Sequence, residues 1–128
     1  SRLPGDRPLV VFFEQTECHA CDVLHSQPLR DPVINRAFER FENVQLNMWS
    51  DTPVITPDGR RTTAREWARS MGLFYAPSLV FFDEEGREII RVDSVVRFYR
   101  LRSVLNYILS RGYLAEPNYQ EWRRTSEY

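Results

Sequence analysis

A chain of 128 residues, 42% apolar and 13% aromatic, has the length for one domain around one core and too many apolar residues to stay disordered. Its 17 basic residues, every one an arginine, and its 18 acidic ones are spread along the chain, and the net charge of −1 leaves no footprint for nucleic acid or an anionic membrane surface. No apolar run is long enough to span a membrane, and the opening Ser1-Arg2-Leu3-Pro4-Gly5-Asp6 holds no signal-peptide h-region, so neither is expected within this chain.

Residues 7–14 (RPLVVFFE) form a β-branched and aromatic run without helical periodicity, as a buried central strand requires. After Gln15-Thr16-Glu17 comes Cys18-His19-Ala20-Cys21, opening a helical stretch through Asp22, Val23, Leu24 and His25. These are the chain's two cysteines. At this spacing, with nothing else to pair with, they point to catalysis or metal binding and not to a disulfide scaffold. Pro28 and Pro32 interrupt the helix. Asp31-Pro32 then supplies an N-cap and a first-turn proline for a second piece, in which Val33, Ile34, Ala37, Phe38 and Phe41 recur at helical spacing. Residues 43–49 alternate Val44, Leu46 and Met48 and read as a strand.

Residues 50–61 hold Pro53, Pro57 and Asp58-Gly59 and are expected to be a loop with a tight turn. Thr63-Ala64-Arg65-Glu66 has the capping-box pattern of a helix start, and Gly72 can close that helix. A third strand over residues 77–83 turns through Asp83-Glu84-Glu85-Gly86 into a fourth over residues 88–92. Residues 98–111 place Leu101, Val104, Leu105, Ile108 and Leu109 on one helical face, with Gly112 expected as the C-cap. The tail, residues 113–128, is expected to form a loop and a short surface helix on which Tyr119, Trp122 and Tyr128 cover an apolar patch. Trp49, Phe74, Tyr75, Trp67 and Phe81 read as core and rim aromatics, with Phe74 and Tyr75 as a candidate apolar rim for substrate.

A strand running into CxxC at a helix start, a later hairpin opened by proline and an amphipathic closing helix together resemble the thioredoxin superfamily over residues 7–112. The motifs are VVFFEQTECHAC and Ala76-Pro77-Ser78-Leu79-Val80-Phe81-Phe82-Asp83, the second similar to that family's cis-proline loop. The split first helix, the segment TPDGRRTTAREWARSMGL and the extended C-terminus look most like a bacterial periplasmic branch associated with sulfur oxidation and cytochrome maturation. The resemblance implies an α/β thioredoxin fold: one domain over residues 1–128, with a central sheet of about four strands flanked by helices and residues 113–128 as an extension. It also implies thiol–disulfide exchange with protein substrates, a monomer, a periplasmic location and a membrane thiol–electron transporter as a candidate partner. The cysteine pair would itself be the redox group, without a cofactor. Ala76 and Pro77 would form a cis bond whose neighbouring backbone groups pair with an extended substrate chain. Three departures stand out. Glu17 replaces the usual tryptophan before CxxC, His19-Ala20 replaces the usual Gly-Pro between the cysteines, and Phe12 stands six residues before Cys18, where a buried acid is expected.

A thiolate attacks disulfides, and a helix N-terminus favours negative charge, so Cys18 is the expected nucleophile and Cys21, one turn on, the resolving residue. His19 stabilises the Cys18 thiolate if protonated, or is a solvated side chain without a role. Glu17 opposes that thiolate, and Ala20 completes the motif. Glu14 is either a substitute for the missing acid or a solvated strand-end carboxylate. His25 shares a helical face with both cysteines and has three readings: a structural histidine, a proton relay for Cys21, or a ligand in a Cys-Cys-His copper or zinc site. The last defines the rival function, a metal-handling binding protein.

Overall fold

The computed structural model describes residues 6–93 and 98–126. The reading of Tyr128 falls outside them. Strand β1 (Leu9–Glu14) is followed by α1 (His19–Ser26), a 3-10 turn (Pro28–Arg30), α2 (Pro32–Phe38) and β2 (Glu42–Asn47). A small hairpin, β3 (Pro53–Ile55) and β4 (Arg61–Thr63), leads into α3 (Ala64–Ser70). Then come β5 (Ser78–Phe82), β6 (Glu88–Asp93), α4 (Phe98–Leu109), α5 (Gly112–Ala115) and α6 (Tyr119–Ser126). The central sheet has the order β2-β1-β5-β6, with β1 parallel to β2 and antiparallel to β5. It is the four-stranded α/β sheet that the sequence leads one to expect.

Alternation along β1 builds two cores. Val10 and Phe12 point to a cluster that includes Leu24 of α1, Ile34 and Phe38 of α2, Leu101, Leu105 and Ile108 of α4, and Tyr119 of α6. Leu9, Val11 and Phe13 point to the opposite cluster, roofed by Trp67 and Ala68 of α3 together with Met48 and Leu73. The caps behave as the sequence suggests at α2 and α3. Asp31 Oδ1 accepts from the backbone N–H groups of Val33 and Ile34, and Thr63 Oγ1 accepts from that of Glu66.

Four expectations are corrected. Residues 53–55 are not loop but pair with residues 61–63, around a turn in which the Thr56 hydroxyl bonds the Asp58 carboxylate and Gly59 N–H donates to Thr56 O at 2.8 Å. Gly112 is not the C-cap of α4. Arg111 takes the left-handed conformation (φ 62°), and Gly112 opens α5 in contact with the Trp122 indole, where a Cβ would overlap the ring. Val33 belongs to α2 but faces solvent, because the helix turns Ile34 and Phe38 inward instead. The tail is not a loop and one short helix but two helices, α5 and α6, while Trp49, half exposed, is a rim aromatic.

Candidate active site

Strand register brings three loops to one end of the sheet. Glu14, the last residue of β1, is the partner of Asn47, the last of β2, and Phe13 is opposite Ser78, the first of β5. The chain therefore leaves β1 toward Cys18, leaves β2 toward Trp49 and enters β5 from Pro77 at neighbouring points. The Trp49 indole N–H donates to Gln15 Oε1 at 2.7 Å and ties two of these loops together.

Cys18 is the N-cap of α1, with extended backbone, and is disulfide-bonded to Cys21. The pair is buried, at 7% and 4% exposure, and the Cys21 backbone N–H points at Cys18 Sγ at 3.1 Å. An amide donor on that sulfur is what stabilises a thiolate once the bond opens. Glu17, immediately before, is exposed and adopts φ 52°, a left-handed conformation that aims the chain into the helix. His19 is exposed and Ala20 half-buried. The Ala76–Pro77 bond is cis, Pro77 is buried, and Ala76 packs on the α3-side cluster. Ser78 Oγ donates to Tyr75 O at 2.6 Å and closes this loop. Phe74 and Tyr75, immediately before Ala76, stand out at 63% and 72% exposure.

Glu14 and His25, eleven residues apart in sequence, meet. Glu14 points to the same face of β1 as Phe12, and α1 lies over that face. His25 Nε2 is 2.6 Å from Glu14 Oε2, with side-chain exposures of 39% and 17%. Gln45 Nε2 is 3.3 Å from the same nitrogen. Gln45 was not singled out from the sequence. What brings it here is the parallel register, in which it is the β2 partner of Phe12. For the metal reading, the described residues contain no group of three His, Cys, Asp or Glu side chains placed to hold an ion. His25 is engaged by a carboxylate, and both sulfurs are engaged by each other.

The sequence profile of the thioredoxin-like domain matches residues 3–109. The chain belongs to the thioredoxin-like domain family. Among solved structures, a thioredoxin-fold protein from Helicobacter pylori is similar at 16% identity, with a TM-score of 0.82, over 94% of this chain and 80% of that one. A thioredoxin from Thermus thermophilus is 19% identical, with a TM-score of 0.68, over 95% and 85% of the two chains. The DsbD C-terminal domain of Neisseria meningitidis, in its reduced form, is 17% identical, with a TM-score of 0.60, over 82% and 84%. At these identities the structural likeness establishes the thioredoxin fold. Comparison with curated proteins finds no match. Among the described residues no helix is long and apolar enough to cross a membrane.

Proposed function

We propose that this thioredoxin-like protein is a thiol–disulfide oxidoreductase that exchanges disulfides with protein substrates. The observation that carries the reading is the buried Cys18–Cys21 pair, with Cys18 at the N-cap of α1 and the Cys21 amide directed at its sulfur. In the reduced protein the Cys18 thiolate attacks one sulfur of a substrate disulfide, and the other substrate sulfur departs as a thiol. Cys21 then attacks Cys18 Sγ, re-forms the intramolecular bond and releases the second substrate thiol. The couple is the cysteine pair itself, so the reaction calls for no bound cofactor. The loop at Ala76 and Pro77 offers its backbone to an extended substrate segment, and Phe74 and Tyr75 give that segment an apolar rim. Resemblance supports a monomer working in the bacterial periplasm, with a membrane thiol–electron transporter among its partners.

The test separates the roles of the two cysteines. Cys21→Ser is expected to accumulate mixed disulfides with protein substrates, and Cys18→Ser to accumulate none and to lose insulin-reducing activity. Alkylation of the reduced protein at mildly acidic pH should modify Cys18 well before Cys21. Retained insulin reduction in Cys18→Ser would refute the reading.

A further inference from the structure

Resolution of a mixed disulfide requires Cys21 to lose a proton. At 4% exposure its thiol meets little water, and burial disfavours the thiolate. The position six residues before Cys18 supplies no base, since Phe12 stands there with its ring in the core. Over that ring, at 5.9 Å between centroids, lies the imidazole of His25. His25 follows Cys21 by four residues within α1, one turn along the same face. We propose that His25, held in place by Glu14, accepts the proton of Cys21 when the mixed disulfide resolves. This rests on the oxidoreductase reading and deepens it.

The geometry sets the roles within the pair. The His25 Nε2–H donates to the Glu14 carboxylate at 2.6 Å, which selects one tautomer and holds the ring. With its hydrogen on Glu14, Nε2 cannot also accept from the nearby Gln45 amide, and the lone pair of this tautomer lies on Nδ1, which is therefore assigned the proton exchange. In the step, Nδ1 takes the proton from Cys21 Sγ, and the resulting thiolate attacks Cys18 Sγ. The Cys18–substrate S–S bond breaks as the Cys18–Cys21 bond forms. The electron pair leaves on the substrate sulfur, which recovers a proton from the imidazolium or from water. Over the whole exchange the cysteine pair loses two electrons and the substrate disulfide gains them.

The charges around this pair are few. Glu14 comes from β1, Asp22 from the first turn of α1, and Arg30 and Glu39 line the cleft beside His25. Neighbouring β2 residues are the uncharged Asn43 and Gln45. Asp22, Arg30 and Glu39 are all exposed, and Glu14 is the charged group in direct contact with the ring.

Stopped-flow reaction of the reduced full chain with a chromogenic aromatic disulfide resolves the two steps, since one coloured thiolate leaves when Cys18 attacks and a second when Cys21 resolves. His25→Gln is expected to slow the second release by about a hundredfold at neutral pH and to leave the first unchanged. The deficit should shrink as pH rises well past the ordinary thiol value of roughly 8.5, because burial disfavours the Cys21 thiolate and only then does the thiol ionise without a base. Free imidazole should restore part of the lost rate. Glu14→Gln should slow the second release by a smaller factor, because the ring is retained but no longer held. A wild-type second phase in His25→Gln overturns the proposal, as does equal slowing of both phases, which would mark a purely structural pair. If the wild-type protein releases neither thiolate, the oxidoreductase reading fails and this proposal goes with it.

Discussion

Glu17 acts on Cys18 twice, through its backbone and through its charge. Its φ of 52° lies in the left-handed region, where the Cβ of an ordinary residue crowds the carbonyl and costs roughly 1 kcal/mol. A β-branched residue fits worse, so Glu17→Val is expected to lose about 1–2 kcal/mol in urea unfolding. Glu17→Gly is expected to be neutral or better, because relief of strain offsets the added freedom of the unfolded chain. The carboxylate also opposes the Cys18 thiolate. Glu17→Gln should therefore speed alkylation of reduced Cys18 at mildly acidic pH, and His19→Ala should slow it. Both side chains are exposed, so each effect should be about two- to threefold and should shrink with added salt. At this scale the sequence is legible for residues whose roles are local. CxxC at a helix start places Cys18 and Cys21, whereas the cis bond at Ala76-Pro77 was legible only through the family resemblance, because most X–Pro bonds are trans. Of the Glu14–His25–Gln45 contact, only Glu14 and His25 were legible, as two separate candidates, and Gln45 was not legible at all. The contact depends on which face of β1 lies under α1 and on the register of β1 with β2, and neither is written in the spacing of three polar residues.

At the scale of elements, the tail is docked through α4. The Tyr107 ring is fully buried and packs 5.3 Å from the ring of Tyr119 and 5.0 Å from that of Trp122, while its hydroxyl donates to Glu116 O at 2.6 Å. Tyr119 is itself buried, and Tyr119→Ala is expected to cost about 3 kcal/mol, read as a drop in Tm of roughly 10 °C. Burial, and next the Glu116 carboxylate, push the Tyr107 phenol above its usual value. Because the fold holds the neutral form, this contribution is complete below pH about 10 and is lost as pH rises through the raised value. Tyr107→Phe should accordingly flatten the alkaline limb of the stability profile, and should cost about 1 kcal/mol at neutral pH through the missing hydrogen bond. A surface helix in the tail is legible from its aromatic spacing, but two neighbouring features are not. Strands β3 and β4 have three residues each, too few for alternation to show, and they exist because Thr56, Asp58 and Gly59 close the turn between them. Gly112 looks like a cap by residue type alone. The structure uses its missing side chain for contact with Trp122 and lets Arg111 take the left-handed backbone.

For the whole molecule, the question is whether two cores on opposite faces of one sheet unfold together. The central strands argue that they do. β1 sends Val10 and Phe12 to one cluster and Leu9, Val11 and Phe13 to the other, and β5 divides Leu79 and Phe81 from Val80 and Phe82 in the same way. Melting either layer uncovers the floor of the other, since both floors belong to the same two backbones. The chain carries its own reporters on the two sides. Trp67 of α3 lies edge-on to Phe13 at 5.2 Å and stacks on Phe82 at 6.0 Å, whereas Trp122 of α6 packs against Tyr107 and Tyr119 on the opposite face. Two variants, each retaining one of these tryptophans with the other two replaced by phenylalanine, are expected to show coincident fluorescence midpoints in urea. Adding Phe13→Ala, a change confined to the α3 side, should remove about 3–5 kcal/mol and shift both reporters equally. If Trp122 instead melts at lower urea while Trp67 holds, α5 and α6 detach as a separate unit. The docking through Tyr107 would then stabilise the tail without joining it to the cooperative core.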